Sequence, residues 1–445
     1  MSIFLAQLGV ESPTGQGRSQ MATDSLQKVL RYRWVIFWIL ACGYVLVYFH
    51  RLCPAVVAVD MMRDLKTGGA LTGFLGAAYF YPYAIMQLPA GLLSDSWGPR
   101  NTITLFFAVA FIGSVLLGAA SSVFLAILGR TLVGLGVAML FVPTMKILAE
   151  WFRMSEFAFM TGMLMALGGL GSLFAATPLA LLSSWIGWRY SFILVGVFTL
   201  ILAVLVWIFV RDRPNDFGWP PPEEPTQSAA SAIGLMESIR RVLTCRAFWP
   251  IAIWFFFDCG IFFSFGGLWG GPYLIQVYGL SKAQAAQILS MLAVGMIIGS
   301  PSLSYLSTNI FRARKPIVVL SSIIIVGLTA LLAFLTAEIP QAVLYALCLG
   351  LGIFSAAIVV IGFTTNKELF PVQMAGTATG IVNLFPFAGG AVFQPLLGYF
   401  LERNGAVEGR FTPEGYQQAF LILFIAGVIA FIASLFLKES LVAEN

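Results

Sequence analysis

The sequence is dominated by apolar runs of about twenty residues, the length that lets a helix cross the roughly 30 Å hydrocarbon core of a bilayer. Of its 445 residues, 59% are hydrophobic and 10% are charged. Because the runs are continuous rather than alternating, they predict helices and not barrel strands. We therefore expect an all-α polytopic membrane protein with twelve transmembrane helices, at about 34–59, 71–93, 101–120, 122–148, 157–183, 189–210, 247–277, 284–306, 316–336, 340–364, 375–401 and 418–437.

The basic residues predict how the chain is oriented in the membrane. The formal net charge is +5, with 25 Lys and Arg residues. Most of these residues fall in loops on the same side as the two termini, as the positive-inside rule requires of cytoplasmic segments. We expect both termini in the cytoplasm and the chain in the plasma membrane, the inner membrane of a Gram-negative cell. The positive charge thus indicates topology within a lipid bilayer and gives no reason to expect a nucleic-acid partner.

One long polar interruption divides the apolar runs into two groups of six. It opens at Arg211, and its prolines, among them Pro214 and Pro220, are incompatible with a long helix. A later stretch with Arg240 and Arg241 is amphipathic and suited to the membrane surface. A linker is the expected role, and a regulatory role is the alternative. The predicted organisation is a tail at 1–33, a six-helix bundle at 34–210, the linker at 211–246, a second bundle at 247–437 and a tail at 438–445.

The two groups of apolar runs resemble each other. Trp188–Leu205 in the sixth run is similar to Tyr416–Leu435 in the twelfth, and the fifth and eleventh runs share a Thr-Gly pair, a Gly-rich stretch and a Pro-Leu pair. Two similarities in register indicate a duplicated six-helix unit. In pseudo-symmetric bundles of this kind the substrate site lies between the halves, near the middle of the membrane.

The link between the second and third runs, GLLSDSWGPR, is short and polar. Gly98 supplies unusual backbone angles, and Pro99 prevents continuation of the preceding helix. Asp95 and Arg100 place opposite charges at the membrane surface, where they are able to pair and to meet nearby helix ends.

These residues resemble a signature of the major facilitator superfamily, G-x-L-x-D-x-x-G-x-R, between its helices 2 and 3. The matching positions are Gly91, Leu93, Asp95, Gly98 and Arg100, and a second match, to R-x-x-x-G-x-G on helix 4, is Arg130, Gly134 and Gly136. The resemblance implies a secondary transporter that works by alternating access, with no cofactor and an ion gradient as driving force. It also implies that the first motif is a gating latch and that Arg130 takes part in energy coupling.

The corresponding link in the second half is degenerate. Gly299–Pro316 keeps a glycine and a basic cluster, but Thr308 and Asn309 stand where the family pattern has an acid. The sequence therefore predicts an asymmetric latch, present mainly in the first half.

Five ionisable residues fall inside the predicted spans, where each costs about 2.5–3.5 kcal/mol and therefore marks a functional candidate. They are His50, Arg51, Arg130, Lys146 and Asp258.

Arg51 is the main candidate for substrate binding. Tyr44, Tyr48 and Arg51 are spaced i, i+4, i+7 and lie on one stripe of a helix. A guanidinium beside two phenols suits a carboxylate, sulfonate or phosphate. An Arg at this depth of helix 1 also resembles the organic-anion and organophosphate branches of the superfamily, which implies contact with the anion. The alternative is a structural pair with an acid on another helix.

His50 and Asp258 are the candidates for proton coupling. His50 is the only histidine, and it stands where the organic-anion branches often carry an acid. Asp258 lies in the aromatic stretch FFFDCGIFFSF, where it either exchanges protons during transport or permanently neutralises a buried cation. For His50, the alternative is a hydrogen-bonded packing residue.

Other polar and aromatic residues inside the spans are candidate walls of a cavity. Lys146 either pairs with Glu150 near the end of the fourth span or makes a second contact with the anion. Simple packing is the alternative for the remaining candidates, which are Tyr83, Gln87, Trp269, Tyr273, Asn383 and Gln394.

Together these features predict a monomeric secondary transporter of a small organic anion of the carboxylate, sulfonate or organophosphate class, moved with protons. Arg51 and its two tyrosines hold the anion, and Asp258 or His50 carries the proton. The alternatives are a transporter of amino acids or other zwitterions held between Arg51 and Asp258, a drug exporter, and a transporter-like sensor. An enzyme is not expected, because the sequence has no catalytic constellation, metal-ligand spacing or phosphate loop.

Overall fold

The computed structural model describes residues 15–222, 235–407 and 410–440, and these residues are almost entirely helical. The described residues of the first half form ten helices. They are α1 (Gly15–Leu52), α2 (Pro54–Leu65), α3 (Gly69–Ala77), α4 (Phe80–Ile85), α5 (Gln87–Ser96), α6 (Pro99–Ala119), α7 (Val123–Ala138), α8 (Phe141–Trp151), α9 (Met154–Phe174) and α10 (Thr177–Phe209).

The linker and the second half contribute ten more helices, a 3₁₀ turn at Pro214–Phe217 and a hairpin of two short antiparallel strands. The helices are α11 (Leu235–Thr244), α12 (Phe248–Ser264), α13 (Gly270–Gln276), α14 (Lys282–Tyr305), α15 (Lys315–Phe334), α16 (Gln341–Leu351), α17 (Val359–Glu368), α18 (Val372–Val382), α19 (Leu384–Arg403) and α20 (Pro413–Leu435). Wider π-helical turns at Phe265–Trp269, Leu306–Ile310 and Gly352–Ala357 follow α12, α14 and α16. The strands are β1 (Ala406–Val407) and β2 (Arg410–Phe411).

Eleven helical segments of the described chain are long and apolar enough to cross a membrane. The predicted second span is not among them because it is divided into α3, α4 and α5. Each division lies about one turn before a proline, Pro82 or Pro89, where the ring removes an intrahelical hydrogen bond. Taken together the three short helices cover the predicted span, so the two groups of six are retained. In α10 the non-helical Gly187, with φ 79°, separates the end of the fifth span from the sixth.

The predicted tails and linker are only partly covered by the described residues. Helix α1 already begins at Gly15, so residues 15–33, predicted as a tail, are helical and continue the first span. The rest of the first tail, residues 1–14, lies outside the described residues, as do 223–234 of the linker and 441–445 of the last tail.

The start of the linker folds back onto the first half. Trp151 Nε1 donates a hydrogen bond of 2.9 Å to the carbonyl oxygen of Arg211. The rings of Phe217 and Trp219 stack with centroids 4.7 Å apart, and both contact Tyr32 edge-on. This aromatic cluster anchors the start of the linker to the first half.

The two ends of the helical bundle are distinguished by their connections. The linker face carries the turn at Trp97–Gly98 and the start of the linker, and the hairpin face carries the turn at Lys66–Gly68 and the strands β1 and β2. By the positive-inside expectation the linker face is cytoplasmic.

Candidate substrate site

Arg51 lies in the last turn of α1, where the carbonyl ends of the helix favour a cation. Its side chain is largely buried, with 7% of the residue exposed. The guanidinium carbon lies 4.6 Å from the ring centre of Tyr48, 4.8 Å from that of Tyr83 and 5.0 Å from that of Phe387. One terminal nitrogen donates a hydrogen bond of 2.5 Å to the hydroxyl of Tyr83. Because Phe387 belongs to the second half, this aromatic cage is built by both halves.

In the described part of the chain, no carboxylate forms an ion pair with Arg51. Its Nε is buried and lacks a hydrogen-bond partner there. Aromatic faces replace only part of the hydration of a buried cation, since a cation–π contact contributes about 0.5–2 kcal/mol. The guanidinium therefore keeps a free N–H and an uncompensated charge, the two properties that an incoming anion requires.

A short series of hydrogen bonds connects Arg51 to the contact between the halves. The side-chain amide of Gln87 donates to the backbone carbonyl of Tyr83 at 3.0 Å. The amide of Asn383 in turn donates to Gln87 Oε1 at 2.6 Å. Tyr83, Gln87 and Asn383, three of the predicted cavity residues, thus lie together next to the cage, on helices of different halves.

Tyr48 lies one turn and Tyr44 two turns before Arg51 in α1, next to the aromatic cage. Their rings meet edge-on at 5.4 Å, and the hydroxyl of Tyr44 contacts Met165 Sδ of α9 at 3.3 Å. Of the two, Tyr44 is fully buried and Tyr48, which faces the guanidinium, is partly exposed. The predicted stripe is therefore present, and α9 completes its surroundings.

Arg130 binds the backbone of α1 at the residue before Arg51. Pro54 has no N–H to give to the carbonyl of His50 four residues earlier, so that carbonyl is left without its helical donor. A terminal nitrogen of Arg130 donates to this carbonyl oxygen at 2.6 Å, and the guanidinium lies 4.9 Å from the ring of Tyr79. Arg130 thus replaces the hydrogen bond that proline removes, as breaks inside membranes require.

The imidazole of His50 is fully buried. Neither of its ring nitrogens has a hydrogen-bond partner among the described residues. The ring meets that of Phe49 edge-on at 5.6 Å.

Asp258 lies in the second half, apart from the aromatic cage. It is 1% exposed, and the hydroxyl of Ser355 lies 3.0 Å from its Oδ2. Oδ1 has no partner among the described residues, and no cation of that part of the chain pairs with the group. Ser355 belongs to the π-helical turn Gly352–Ala357, a feature often found at functional sites.

The other three predicted wall residues lie towards the hairpin face and form packing contacts there. Trp269 Nε1 donates to the carbonyl of Gln394 at 2.8 Å, and the amide of Gln394 donates to the carbonyl of Phe263 at 2.8 Å. The hydroxyl of Tyr273 donates to the carbonyl of Thr336 at 2.5 Å. All three wall residues are buried, and none contacts the guanidinium of Arg51.

The motif at the linker face has partners different from those expected. Asp95 forms an ion pair with Lys146 and not with Arg100, and Lys146 also donates to the carbonyl of Gly91 at 3.1 Å. Arg100 instead donates to the carbonyl of Trp207 at the end of α10. The predicted pairing of Lys146 with Glu150 is also corrected, because Glu150 pairs with Arg213 at 3.5 Å. Lys146 therefore lies in the latch and away from the cage.

Gly98 and Asp212 fix the turn within this motif. Gly98 has φ 84°, a conformation that favours glycine, and a Cβ there would overlap Asp212 Oδ2. Asp212 Oδ1 accepts a 2.7 Å hydrogen bond from the backbone N–H of Arg100 in the first turn of α6. Burial raises the pKa of Asp212, and the bond from Arg100 opposes that rise.

The second half carries a counterpart of the latch with the charges exchanged. Arg314 precedes α15 and pairs at 3.2 Å with Glu368 at the end of α17, while its guanidinium also donates to Thr308 at 2.9 Å. Glu439 accepts hydrogen bonds from the backbone N–H groups of Arg314 and Lys315, as Asp212 does from Arg100 in the first half. The expectation of a latch without a counterpart is therefore wrong: the acid and the base have changed places between link and helix.

The halves are joined closely at the hairpin face. Asp60 forms an ion pair with Lys282 of the second half. Glu402 accepts a 2.9 Å hydrogen bond from the N–H of Ala70 at the start of α3. A Cβ on Gly69 or Gly398 would overlap the other's carbonyl oxygen, so only glycine permits this approach.

A further cross-half contact follows from a proline. Pro395 leaves the carbonyl of Ala391 without its helical donor, and the hydroxyl of Tyr81 donates to it at 3.0 Å. Among the polar contacts between the halves, the one between Gln87 and Asn383 lies next to the cage, and those of Tyr81, Asp60 and Glu402 lie towards the hairpin face. The conformation is thus closed at the hairpin face.

Sequence reasoning did not single out several of these residues. Asp60, Lys282 and Glu402 flank predicted loops, where charged residues are ordinary, and nothing in the sequence pairs them across the chain. Ser355 carries no signal of its own. The proline four residues after Ala391 was a usable signal, because it predicts a carbonyl in need of a donor.

Comparison with known proteins identifies the family. Residues 40–394 match the Major Facilitator Superfamily. The probable sulfoacetate transporter of Cupriavidus necator is 23% identical, with 94% of this chain and 97% of the relative covered. The hexuronate transporter of Escherichia coli K12 is 24% identical, with 85% and 90% covered. A solved bacterial homologue of the lysosomal transporter Spinster, inward-facing and unoccupied, has a TM-score of 0.69 at 20% identity and covers 91% of this chain and 98% of its own. The chain therefore belongs to the Major Facilitator Superfamily and is a multi-pass membrane transporter, not an enzyme.

Proposed function

We propose that this transporter carries a small organic anion by alternating access, with Arg51 as its main anion ligand. The observation that carries the proposal is the cage around Arg51, a buried guanidinium with a free N–H and no carboxylate partner among the described residues. Its walls come from both halves, so an anion held there contacts both halves at once. A carboxylate, sulfonate or phosphate supplies the charge and the acceptor atoms that this cage lacks.

The relatives support the same class of cargo. Two of them are named as a probable sulfoacetate transporter and a hexuronate transporter, and both cargoes are organic acids. Within the proposed site Tyr48, Tyr83, Gln87 and Asn383 contact the uncharged part of the anion, because their hydroxyl and amide groups line the space beside Arg51. Lys146 is left out of this site, since its ammonium group is occupied by Asp95.

Asp258 is the stronger candidate for the coupling proton. An ionised carboxylate without a cation is costly inside a membrane, whereas a protonated one can remain on Ser355. A second proton on His50 would instead add a positive charge beside Arg51 and the guanidinium of Arg130, with no acceptor among the described residues. We infer that Asp258 gains and loses the proton and that His50 stays neutral.

The closed hairpin face fits one end state of alternating access. We infer that, with the linker face in the cytoplasm, the contacts at the hairpin face separate and re-form during the cycle while the ion pairs at the linker face hold each half rigid. This arrangement supports transport into the cell, together with protons.

A zwitterion such as an amino acid is the second candidate, with Arg51 and Asp258 as its two poles. It is less well supported, because Asp258 is bound to Ser355 and takes no part in the cage around Arg51. A drug exporter and a transporter-like sensor remain alternatives of the same fold.

The test is ligand-induced thermal stabilisation of the purified protein. A panel of carboxylates, sulfonates, sugar phosphates, amino acids and neutral sugars is added to wild type and to Arg51→Ala. A ligand at about 100 times its Kd stabilises by about 2.7 kcal/mol, enough for a clear rise in Tm. We expect organic anions alone to raise Tm, and the rise to be lost in Arg51→Ala but kept in Arg410→Ala, an exposed arginine on the hairpin. Stabilisation by an anion that survives Arg51→Ala contradicts the proposal, and stabilisation by amino acids alone favours the second candidate.

A further inference from the structure

The second part of the linker forms a short amphipathic helix next to the first span of the second half. Helix α11 runs from Leu235 to Thr244, and α12 begins four residues later at Phe248. One side of α11 faces the protein interior, since Ser238 and Val242 are 2% and 0% exposed. The helix packs on α18 and on the start of α12. Helix α11 therefore lies at the linker face, beside the start of the seventh predicted span.

The outer side of α11 combines exposed apolar residues with arginines. Met236 is 77% exposed, Leu243 is 40% exposed, and Trp249 at the start of α12 is 42% exposed. Trp249 Nε1 donates to the carbonyl of Leu243 at 3.0 Å, which fixes the indole against the end of α11. Tryptophan at the end of a span is typical of the interface between headgroups and hydrocarbon.

The arginines of this segment are not neutralised equally. Arg241 pairs with Glu237 at 2.6 Å, one turn earlier. Arg240 and Arg246 are exposed, and neither forms an ion pair with a residue that the structure describes. Two exposed guanidinium groups without an ion pair in the described part of the chain therefore flank the apolar residues.

We propose that α11 and the start of α12 bind anionic phospholipid headgroups, with Arg240 and Arg246 as the cationic ligands and Met236, Leu243 and Trp249 in the interface. The occupant is a lipid surface because apolar residues on one side of a helix, with basic residues beside them at a span end, match an anionic leaflet in both charge and polarity. The proposal is independent of the cargo.

This surface is connected to the candidate substrate site through α18. Helix α18 packs against α11 at one end and is followed at the other by Asn383, which bonds Gln87 of the first half. Lipid bound to α11 is thus held against a helix that ends at the contact between the halves.

The test uses quenching of Trp249 by brominated lipid in vesicles of phosphatidylcholine. The fluorescence of Trp249 is obtained as the difference in tryptophan fluorescence between the full-length wild-type protein and its Trp249→Phe variant. We expect brominated phosphatidylglycerol to quench it more strongly than an equal amount of brominated phosphatidylcholine, with a preference of about fivefold for each free arginine. The double variant Arg240→Gln/Arg246→Gln should lose that preference, with quenching by phosphatidylcholine unchanged.

The matched control is Arg403→Gln/Arg410→Gln, which removes two exposed arginines at the hairpin face and should keep the preference. Unchanged Tm of each variant shows that the fold is intact. Equal quenching of wild type by the two brominated lipids, or a preference that survives the α11 double variant, overturns the proposal. Absence of quenching by either lipid also overturns it and indicates a protein partner on this surface.

Discussion

Arg51 is the residue on which the proposed anion binding depends. Its neighbours in the sequence predicted only part of its surroundings in the fold. Helical spacing predicted that Tyr44, Tyr48 and Arg51 share one stripe, and they do. The remaining walls, Tyr83 and Phe387, come from α4 and α19, and no local pattern places three separate helices around one side chain. The sequence thus predicted the proposed anion ligand and one wall of its cage, and tertiary packing supplied the other walls.

The partners of charged side chains at the linker face were the least predictable feature at this scale. Asp95 was expected to meet Arg100, and Lys146 to meet Glu150, because those residues are near in sequence. In the fold Asp95 and Lys146 meet each other across two helices. Opposite charges a few residues apart are common on any surface, and sequence spacing cannot rank them against a partner 51 positions away.

Asp258→Asn tests the residue proposed to carry the proton. Asparagine keeps the size of the side chain and an acceptor for Ser355, but it cannot release a proton. We expect uptake driven by a pH gradient to fall to the rate without a gradient, while exchange of cargo across the membrane continues. Proteoliposome uptake and counterflow measure the two rates. Asp216→Asn, an exposed acid of the linker, is the matched control, and gradient-driven uptake at the wild-type rate in Asp258→Asn would refute the assignment.

Single elements of the structure were predicted with mixed success. The turn at Gly98 and Pro99 is present as expected, because the required backbone angles are a local property of those residues. The division of the second span into three helices has a local cause as well, in Pro82 and Pro89. The counterpart of the latch was missed because its acid is Glu368 of α17 and not a residue of the link. A search for the same residue types in the same places cannot find a pair whose charges are exchanged.

Asp212→Asn tests how α6 is capped at the linker face. Burial raises the pKa of Asp212 above its unfolded value of about 4, although the N–H of Arg100 opposes the rise. The stability that this group contributes is therefore complete below pH 4 or so and is lost as the pH rises through the folded pKa. Asparagine accepts the same hydrogen bond without ionising, so the Tm of the variant relative to wild type should increase between acid and neutral pH.

Thermal unfolding of both proteins across this pH range measures the difference in Tm. Asp216→Asn again serves as the control, because its carboxyl group is exposed on the same segment. A difference between Asp212→Asn and wild type that stays constant with pH would show that ionisation of Asp212 does not affect the cap.

At the scale of the whole molecule, the halves are held together at the hairpin face by close glycine contacts and by charges. The helical membrane fold and the family followed from apolar runs and motifs, because these are repeated over the chain. The conformation did not follow from them. Which face is closed depends on pairs such as Asp60 and Lys282, which lie 222 positions apart.

Exchange of the charges of Asp60 and Lys282 tests their role in closing the hairpin face. Asp60→Lys alone places two cations opposite each other, and the double variant Asp60→Lys/Lys282→Asp restores an ion pair in reverse. A change of about 1 kcal/mol, a modest value for this partly buried pair, alters the ratio of two conformations roughly fivefold. Spin labels at Lys66→Cys and Arg410→Cys report the separation across this face.

We expect the single variant to increase the population with long distances about fivefold and the double variant to return it to the wild-type level. Glu414→Lys, an exposed charge reversal on the same face, is the control and should leave the distances unchanged. Equal distance distributions in the single variant and wild type would exclude this ion pair as a determinant of the closed state.

Saturable uptake into proteoliposomes measures directly whether Arg51 binds the transported anion. A labelled organic anion, such as a sulfonate or a uronate, is compared with a labelled amino acid in wild type, Arg51→Ala and the exposed control Arg410→Ala. Loss of a charged hydrogen bond of about 1.5–3 kcal/mol should raise the KM for the anion by at least about tenfold in Arg51→Ala. We expect this rise in KM for the anion and not for the amino acid, and we expect wild-type uptake of the anion by Arg410→Ala. Unchanged saturable uptake of the anion in Arg51→Ala would contradict the proposal.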